Sequence, residues 1–159
     1  MPPLNDAPLG LLFTLLAALI LISAFFSSSE TSMLSLNRYR LKHLIGNGHK
    51  GARRASKLLE RPDQLISIIL IGNNLVNILA SAIATVIAIR LYGDAGIAVA
   101  TVALTLIILI FAEITPKTVA ALHPEKLAFP FSLILLPLLK LFMPLVWAIN
   151  SVTNGLLKL

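Results

Sequence analysis

Three long stretches of the sequence carry no charged residue, and each is long enough to cross a lipid bilayer as a helix. They cover residues 7–29, 64–89 and 95–112. A membrane-spanning helix needs about 20 predominantly apolar residues, with a range of roughly 17–25. The chain is 57% hydrophobic and only 13% charged, which is more apolar surface than a soluble domain of this length can bury. These features predict an all-α integral membrane protein.

The pattern predicts one transmembrane domain over residues 1–159, with spans at about 8–29, 64–89 and 95–117. The first run is too long and too polar at its end for a cleaved signal peptide, and no basic segment precedes it. Between the first two spans, residues 31–62 are expected to form two cytosolic helical pieces, broken at Gly46-Asn47-Gly48.

The last part of the chain, residues 123–159, is consistent with two interpretations. Pro130, Pro137 and Pro144 recur every seven residues, and each proline removes a backbone hydrogen bond. Lys140 also interrupts the apolar run. We expect short, kinked juxtamembrane helices in or near the cytoplasmic interface, with Lys140 reaching water. A fourth span within residues 127–159 is the alternative, because hydropathy alone does not separate the two.

The basic residues are concentrated directly after the first apolar run. Eight of the thirteen Lys and Arg residues lie between Arg38 and Arg61. Such an excess marks the cytoplasmic side of a membrane protein, so the N-terminus is expected outside and the C-terminus in the cytoplasm. The net charge of +6 does not indicate nucleic-acid binding, because no aromatic platform is interleaved with the cations. The absence of cysteine excludes disulfides and thiolate metal sites.

Each apolar run contains oxygen-bearing side chains, which hydrocarbon penalises by several kcal/mol unless they find partners. Ser23 and Ser27 lie four residues apart in the first run, Asn73 lies in the second, and Glu113 directly follows the third. With a helical rise of about 1.5 Å per residue, all of them fall between the bilayer midplane and its cytoplasmic edge. Distant parts of the sequence therefore place polar groups at a common depth.

These oxygen donors are the kind that hard cations prefer. The candidate ligands are the side chains of Ser23, Ser27, Asn73 and Glu113 and the main-chain carbonyl of Ala112. That carbonyl is included because Pro116 cannot donate a hydrogen bond to it. One carboxylate among neutral oxygens suits Mg2+ or Na+ better than a high-affinity Ca2+ site.

Each candidate ligand also has a structural alternative. Serines in membrane helices often bond back to their own helix, and Asn73 or Asn77 could serve only as a contact between helices. Glu113 could instead pair with Lys117, one turn further along the helix.

Three segments in combination, residues 23–31, 70–78 and 111–117, resemble the transmembrane domain of the cyclin M (CNNM)/CorC family of magnesium transporters, in its bacterial branch. The resemblance extends from about Leu9 to the end of the chain. It implies a homodimer in the bacterial cytoplasmic membrane, with three transmembrane helices per subunit and a belt of juxtamembrane helices. It also implies Mg2+ binding at positions matching Ser23, Ser27, Asn73 and Glu113. The family often has Gly where this chain has Ala112, whose methyl group would crowd backbone approach.

The resemblance further implies Mg2+ export, with Na+ coupling proposed for some family members. Full-length relatives carry ATP-binding CBS domains, often with a further C-terminal domain, and we expect this chain to be the membrane part alone. The sequence thus predicts a transport domain with an inward-open acidic pocket that works by alternating access. A non-transporting Mg2+ sensor, or a membrane anchor for cytosolic regulatory domains, is the alternative. An enzyme is not expected, because the zinc-protease and serine-hydrolase motifs are missing.

Overall fold

The computed structural model describes residues 8–159, and within this range every regular element is helical. This confirms the predicted all-α class. The first seven residues of the predicted domain lie outside the described residues. The α-helices are α1 (Leu9–Leu34), α2 (Arg38–Gly46), α3 (Lys50–Leu59), α4 (Pro62–Tyr92), α5 (Gly96–Ile107), α6 (Thr115–Leu122), α7 (Pro124–Leu141) and α8 (Met143–Leu157). A 3-10 turn, Gly93–Ala95, connects α4 to α5, and a π-helical segment, Ile108–Ile114, connects α5 to α6.

The described residues form two compact units. The first unit contains the residues up to Ser27 together with Gly72–Pro116, and the second contains Ser28–Ile71 and Lys117–Leu159. All five side chains or carbonyls predicted to bind a cation belong to the first unit.

In the first unit, α1 packs against α4 through apolar side chains. Leu12 of α1 is fully buried and forms a cluster with Ile83 and Ile87 of α4. Further along the two helices, a Cβ placed on Gly72 would lie 2.3 Å from Cζ of the Phe26 ring. Glycine at this position therefore lets the aromatic ring of one helix press against the backbone of the other, a packing mode common between membrane helices.

The backbone reverses direction between α4 and α5. Gly93 has φ +69°, a conformation that glycine adopts at no steric cost. Three residues later, a Cβ placed on Gly96 would lie 2.4 Å from the carbonyl oxygen of Ala88. In a straight helix, residues eight apart lie about 12 Å apart, so this proximity shows that α5 folds back along α4. The reversal lies between the predicted spans at about 64–89 and 95–117.

Gly96→Ala should destabilise the protein, because the added methyl group would meet a main-chain oxygen that cannot move independently of α4. Overpacking of this kind costs about 1–3 kcal/mol. Gly155→Ala in α8 is the matched control, because nothing lies within 4 Å of a Cβ placed there, and it should stabilise its helix by about 0.5–1 kcal/mol. Thermal unfolding in detergent measures both variants. A Gly96→Ala protein as stable as the wild type would contradict the close approach of α5 to α4.

The second unit is organised by α3 and α7. The predicted break between the two helical pieces occurs at Gly48, which has φ +83°. His49 then caps α3, since its Nδ1 accepts the N–H of Ala52 at 3.0 Å. A Cβ placed on Gly51 would lie 2.8 Å from Cβ of Phe129, so the two helices are in close contact at the first turn of α3.

The prolines of the tail affect the chain differently from the prediction. Pro130 and Pro137 both lie inside α7, and the helix ends only at Leu141, before Pro144. Both interior prolines are exposed, whereas the opposite face of α7 is buried. Packing on that buried face compensates the two missing backbone hydrogen bonds, so α7 continues through both prolines.

Within the described part of the chain, two helical stretches are long and apolar enough to cross a membrane, namely Leu9–Leu34 and Pro62–Leu122, the second of which includes the reversal at Gly93. If α7 and α8, which are bent by 76° relative to each other, are counted as one span, there are three candidate spans among these residues. These stretches confirm an apolar membrane domain, while the count of three spans and the juxtamembrane belt stay predictions.

Candidate cation-binding site

Three polar side chains of α1 and α4 meet in the first unit. The hydroxyl group of Ser23, which is 1% exposed, lies 2.9 Å from Oδ1 of Asn73 and 2.7 Å from Oδ1 of Asn77. Asn73 and Asn77 are half-buried, and they share one face of α4 because they are four residues apart. The sequence-predicted pair Ser23 and Asn73 is therefore brought together, and Asn77 joins it.

In the Ser23 cluster, meaning Ser23, Asn73 and Asn77, both amides direct Oδ1 rather than NH2 toward the hydroxyl group of Ser23. A serine hydroxyl has one proton to donate, so it can bridge only one of the two amide oxygens. The other amide oxygen then faces the hydroxyl oxygen with no hydrogen between them. Two arrangements would remove this repulsion. Rotation of one amide would present its NH2 group to the hydroxyl oxygen, and a bound cation would accept lone pairs from all three oxygens.

Ser27 is a second residue whose buried hydroxyl group lacks a favourable polar contact within the described residues. Its side chain is 1% exposed, and its Oγ has no hydrogen-bond partner among the described residues. A buried hydroxyl left unsatisfied costs about 1–3 kcal/mol. Ser27 lies one turn from Ser23 on the same face of α1, so its oxygen is available to a ligand bound near that face.

Ala112 and Glu113 lie in the π-helical segment. Its wider hydrogen-bonding is seen where the N–H of Thr115 donates to the carbonyl of Ile110, five residues earlier. Ala112 is fully buried and Glu113 is half-buried. Pro116 lies in the first turn of α6, where a missing N–H is tolerated. Single-turn π segments are frequent at functional sites. Convergence of Glu113 with Ser23 and Asn73 stays a prediction.

The structure adds two features of the site that the sequence does not predict: the contact of Asn77 with Ser23 and the π-helical segment. For Asn77 the sequence predicts only a contact between helices, although its spacing of four from Asn73 places both on one face. The π-helical segment has a weaker signal, namely Pro116, two residues after its end. Among residues 8–159, no group of three or more His, Cys, Asp or Glu side chains is placed to hold a metal ion. Any cation bound by the Ser23 cluster would therefore rely mainly on neutral oxygens.

The fold and the polar cluster define an integral membrane domain with oxygen donors buried between its helices. Residues 14–159 match the family model for CNNM, described as the cyclin M transmembrane N-terminal domain. Because this match covers nearly the whole chain, the protein belongs to the CNNM family. The resemblance inferred from the three segments is thereby confirmed.

Named relatives come from several bacteria. The chain is 59% identical to the UPF0053 inner membrane protein YfjD of Escherichia coli, over 87% of this chain and 32% of that protein. It is 58% identical to a UPF0053 protein of Haemophilus influenzae, over 98% of this chain and 37% of that protein. A second Haemophilus influenzae relative, named polyamine export protein, is 32% identical over 94% of this chain and 38% of that protein. The chain thus spans about a third of the length of these curated relatives.

Proposed function

We propose that this chain is a Mg2+ transport domain that binds the ion in an acidic pocket open to the cytoplasm and exports it by alternating access. The observation that carries the proposal is the Ser23 cluster, in which the buried hydroxyl group of Ser23, with one proton to donate, lies within 3 Å of the amide oxygens of both Asn73 and Asn77. Membership in the CNNM family supports the same proposal.

The spacing of the oxygens equals that of ordinary hydrogen bonds and is also compatible with a small ion. Mg2+ prefers six oxygens at about 2.0–2.1 Å, which places neighbouring oxygens of the octahedron about 2.8–3.0 Å apart. The distances from Ser23 Oγ to the Asn73 and Asn77 oxygens are 2.9 and 2.7 Å, close to that spacing.

In the proposed site each group has a distinct role. Ser23, Ser27 and Asn73 supply neutral oxygens, with Asn77 as an added ligand, and Glu113 supplies the negative charge. The carbonyl of Ala112 completes the set. Neutral ligands with a single carboxylate would hold a divalent ion weakly enough for release, which a transporter requires.

Polar groups continue along α4 toward the reversal at Gly93. Ser81 and Thr85 follow Asn77 at intervals of four, and with Thr101 and Thr105 of α5 they line a cavity of about 90 Å3. The Thr85 hydroxyl donates to the Ser81 carbonyl at 2.8 Å, so its lone pairs remain available. In the proposed mechanism this row is the outward path of the ion.

The orientation is proposed with the N-terminus outside and the C-terminus in the cytoplasm. The concentration of basic residues between Arg38 and Arg61 supports this, and a relative named inner membrane protein supports a bacterial cytoplasmic membrane. Homodimerisation and coupling to Na+ belong to the same proposal.

The test is Mg2+ flux in proteoliposomes that contain the purified protein and an entrapped Mg2+ indicator. We expect saturable Mg2+ movement that protein-free vesicles lack. If calorimetry detects Mg2+ binding but the vesicles show no flux, the sensor or membrane-anchor alternative is correct. If neither binding nor flux is detected, the proposal is wrong.

A polyamine is the second candidate cargo, because two relatives are named polyamine export proteins, at 29% and 32% identity. Amide and hydroxyl oxygens also accept hydrogen bonds from an ammonium group. Radiolabelled spermidine in the same vesicles distinguishes the two cargoes. We expect Mg2+ flux that an equal concentration of spermidine does not inhibit.

A further inference from the structure

The second unit contains a cavity of about 600 Å3 between the start of α3 and the first turns of α7. One part of its lining is cationic, formed by Lys50, Arg54 and Lys126, and another part is apolar, formed by Pro130 and Leu133. Leu133 is 57% exposed. The cavity therefore places three positive charges beside an accessible apolar surface.

Arg54 is held in place by α7. Its Nε donates to Oγ of Ser132 at 3.0 Å, and its Nη2 donates to the carbonyl of Phe129 at 3.2 Å. Ser132 is itself fully buried. A guanidinium group has five N–H donors, so three remain for a ligand after these two bonds. Because the planar group is already oriented, little conformational entropy is lost when it binds an oxyanion.

Two other residues of the lining, His49 and Glu125, affect its hydrogen-bond donors and its net charge. The Nδ1 atom of His49 accepts the N–H of Ala52, which leaves the proton of the neutral ring on Nε2 as a further donor. Glu125 is the one acidic residue of the lining, and it forms an ion pair with Arg40. Its charge is therefore compensated from outside the cavity, and the net charge of the lining stays positive.

We propose that this cavity binds the headgroup of an anionic phospholipid, with the phosphate at Lys50, Arg54 and Lys126 and an acyl chain along Pro130 and Leu133. Arginine recognises phosphate oxygens through its fork of donors, and basic pockets beside membrane helices bind anionic headgroups. A free phosphate ion would use the cationic part of the lining but not the apolar part. A phospholipid uses both the cationic and the apolar part of the lining, and the surrounding membrane supplies it. The inference does not depend on the proposed ion transport.

The test is native mass spectrometry of the detergent-solubilised protein, titrated with phosphatidylglycerol or with phosphatidylcholine. We expect at least about tenfold tighter binding of phosphatidylglycerol, because each lysine near an anionic headgroup contributes substantially to binding. The variant Lys50→Gln/Lys126→Gln should weaken phosphatidylglycerol binding about tenfold or more. Both side chains are exposed, so the fold should be retained.

The matched control is Lys42→Gln/Lys57→Gln, which removes the same charge from exposed positions that do not line the cavity. It should change phosphatidylglycerol binding less than twofold. Equal weakening by the two double variants would overturn the proposal, because binding would then reflect surface charge alone. Equal binding of phosphatidylcholine would also overturn it. So would displacement of the lipid by millimolar inorganic phosphate, which would make the cavity a free-phosphate site.

Discussion

Glu113→Gln should weaken Mg2+ binding about a hundredfold or more and stop Mg2+ flux. The amide has nearly the same shape as the carboxylate but no charge, so the divalent ion would lose its counter-charge in a low-dielectric environment. Removing one partner of a buried charge pair costs roughly 3–5 kcal/mol, and each 1.4 kcal/mol is about a factor of ten in affinity. Isothermal titration calorimetry measures the affinity, and proteoliposomes measure the flux.

Glu60→Gln is the matched control for this experiment. Glu60 is an exposed carboxylate that follows α3, and its neutralisation should leave both measurements unchanged. Normal affinity and normal flux in Glu113→Gln would exclude Glu113 from the site. The Ser23 cluster would then have to bind an ion without a carboxylate, which a divalent cation does not favour.

Asn73→Leu should weaken Mg2+ binding about 10–100-fold, a range seen when even the outer-shell partners of a metal site are removed. Leucine has a similar volume and cannot offer an oxygen. Ser23 retains its contact with Asn77, so α1 and α4 should still pack. The measurement is again calorimetric Mg2+ titration, accompanied by thermal unfolding to separate lost binding from lost fold.

The neighbouring residue provides the control for this variant. Asn74 has the same chemistry, follows directly in the same helix and is exposed. Asn74→Leu should change the Mg2+ affinity less than twofold. If Asn73→Leu and Asn74→Leu behave alike, the Ser23 cluster is a contact between helices rather than an ion site, as the structural alternative holds.

The bend in the tail shows how local and tertiary effects compete. Three evenly spaced prolines predicted repeated kinks, yet α7 passes through two of them. The side of α7 that contains Ala128, Phe129 and Leu135 is buried, and that burial compensates the lost backbone bonds. Of the three prolines, only Pro144, in the first turn of α8, lies beside a sharp bend, the 76° bend between α7 and α8.

The sequence by itself determined the helical class, the membrane character, the breaks near Gly48 and Gly93, and the pairing of Ser23 with Asn73 as candidates. Those features depend on apolar run length, on residue spacing and on glycine conformation, all of which act over a few residues. Tertiary structure alone decided that Asn77 contacts Ser23, 54 positions earlier, and that Arg54 is held by Ser132, 78 positions later. Such contacts depend on how separate helices pack, and no local pattern specifies that.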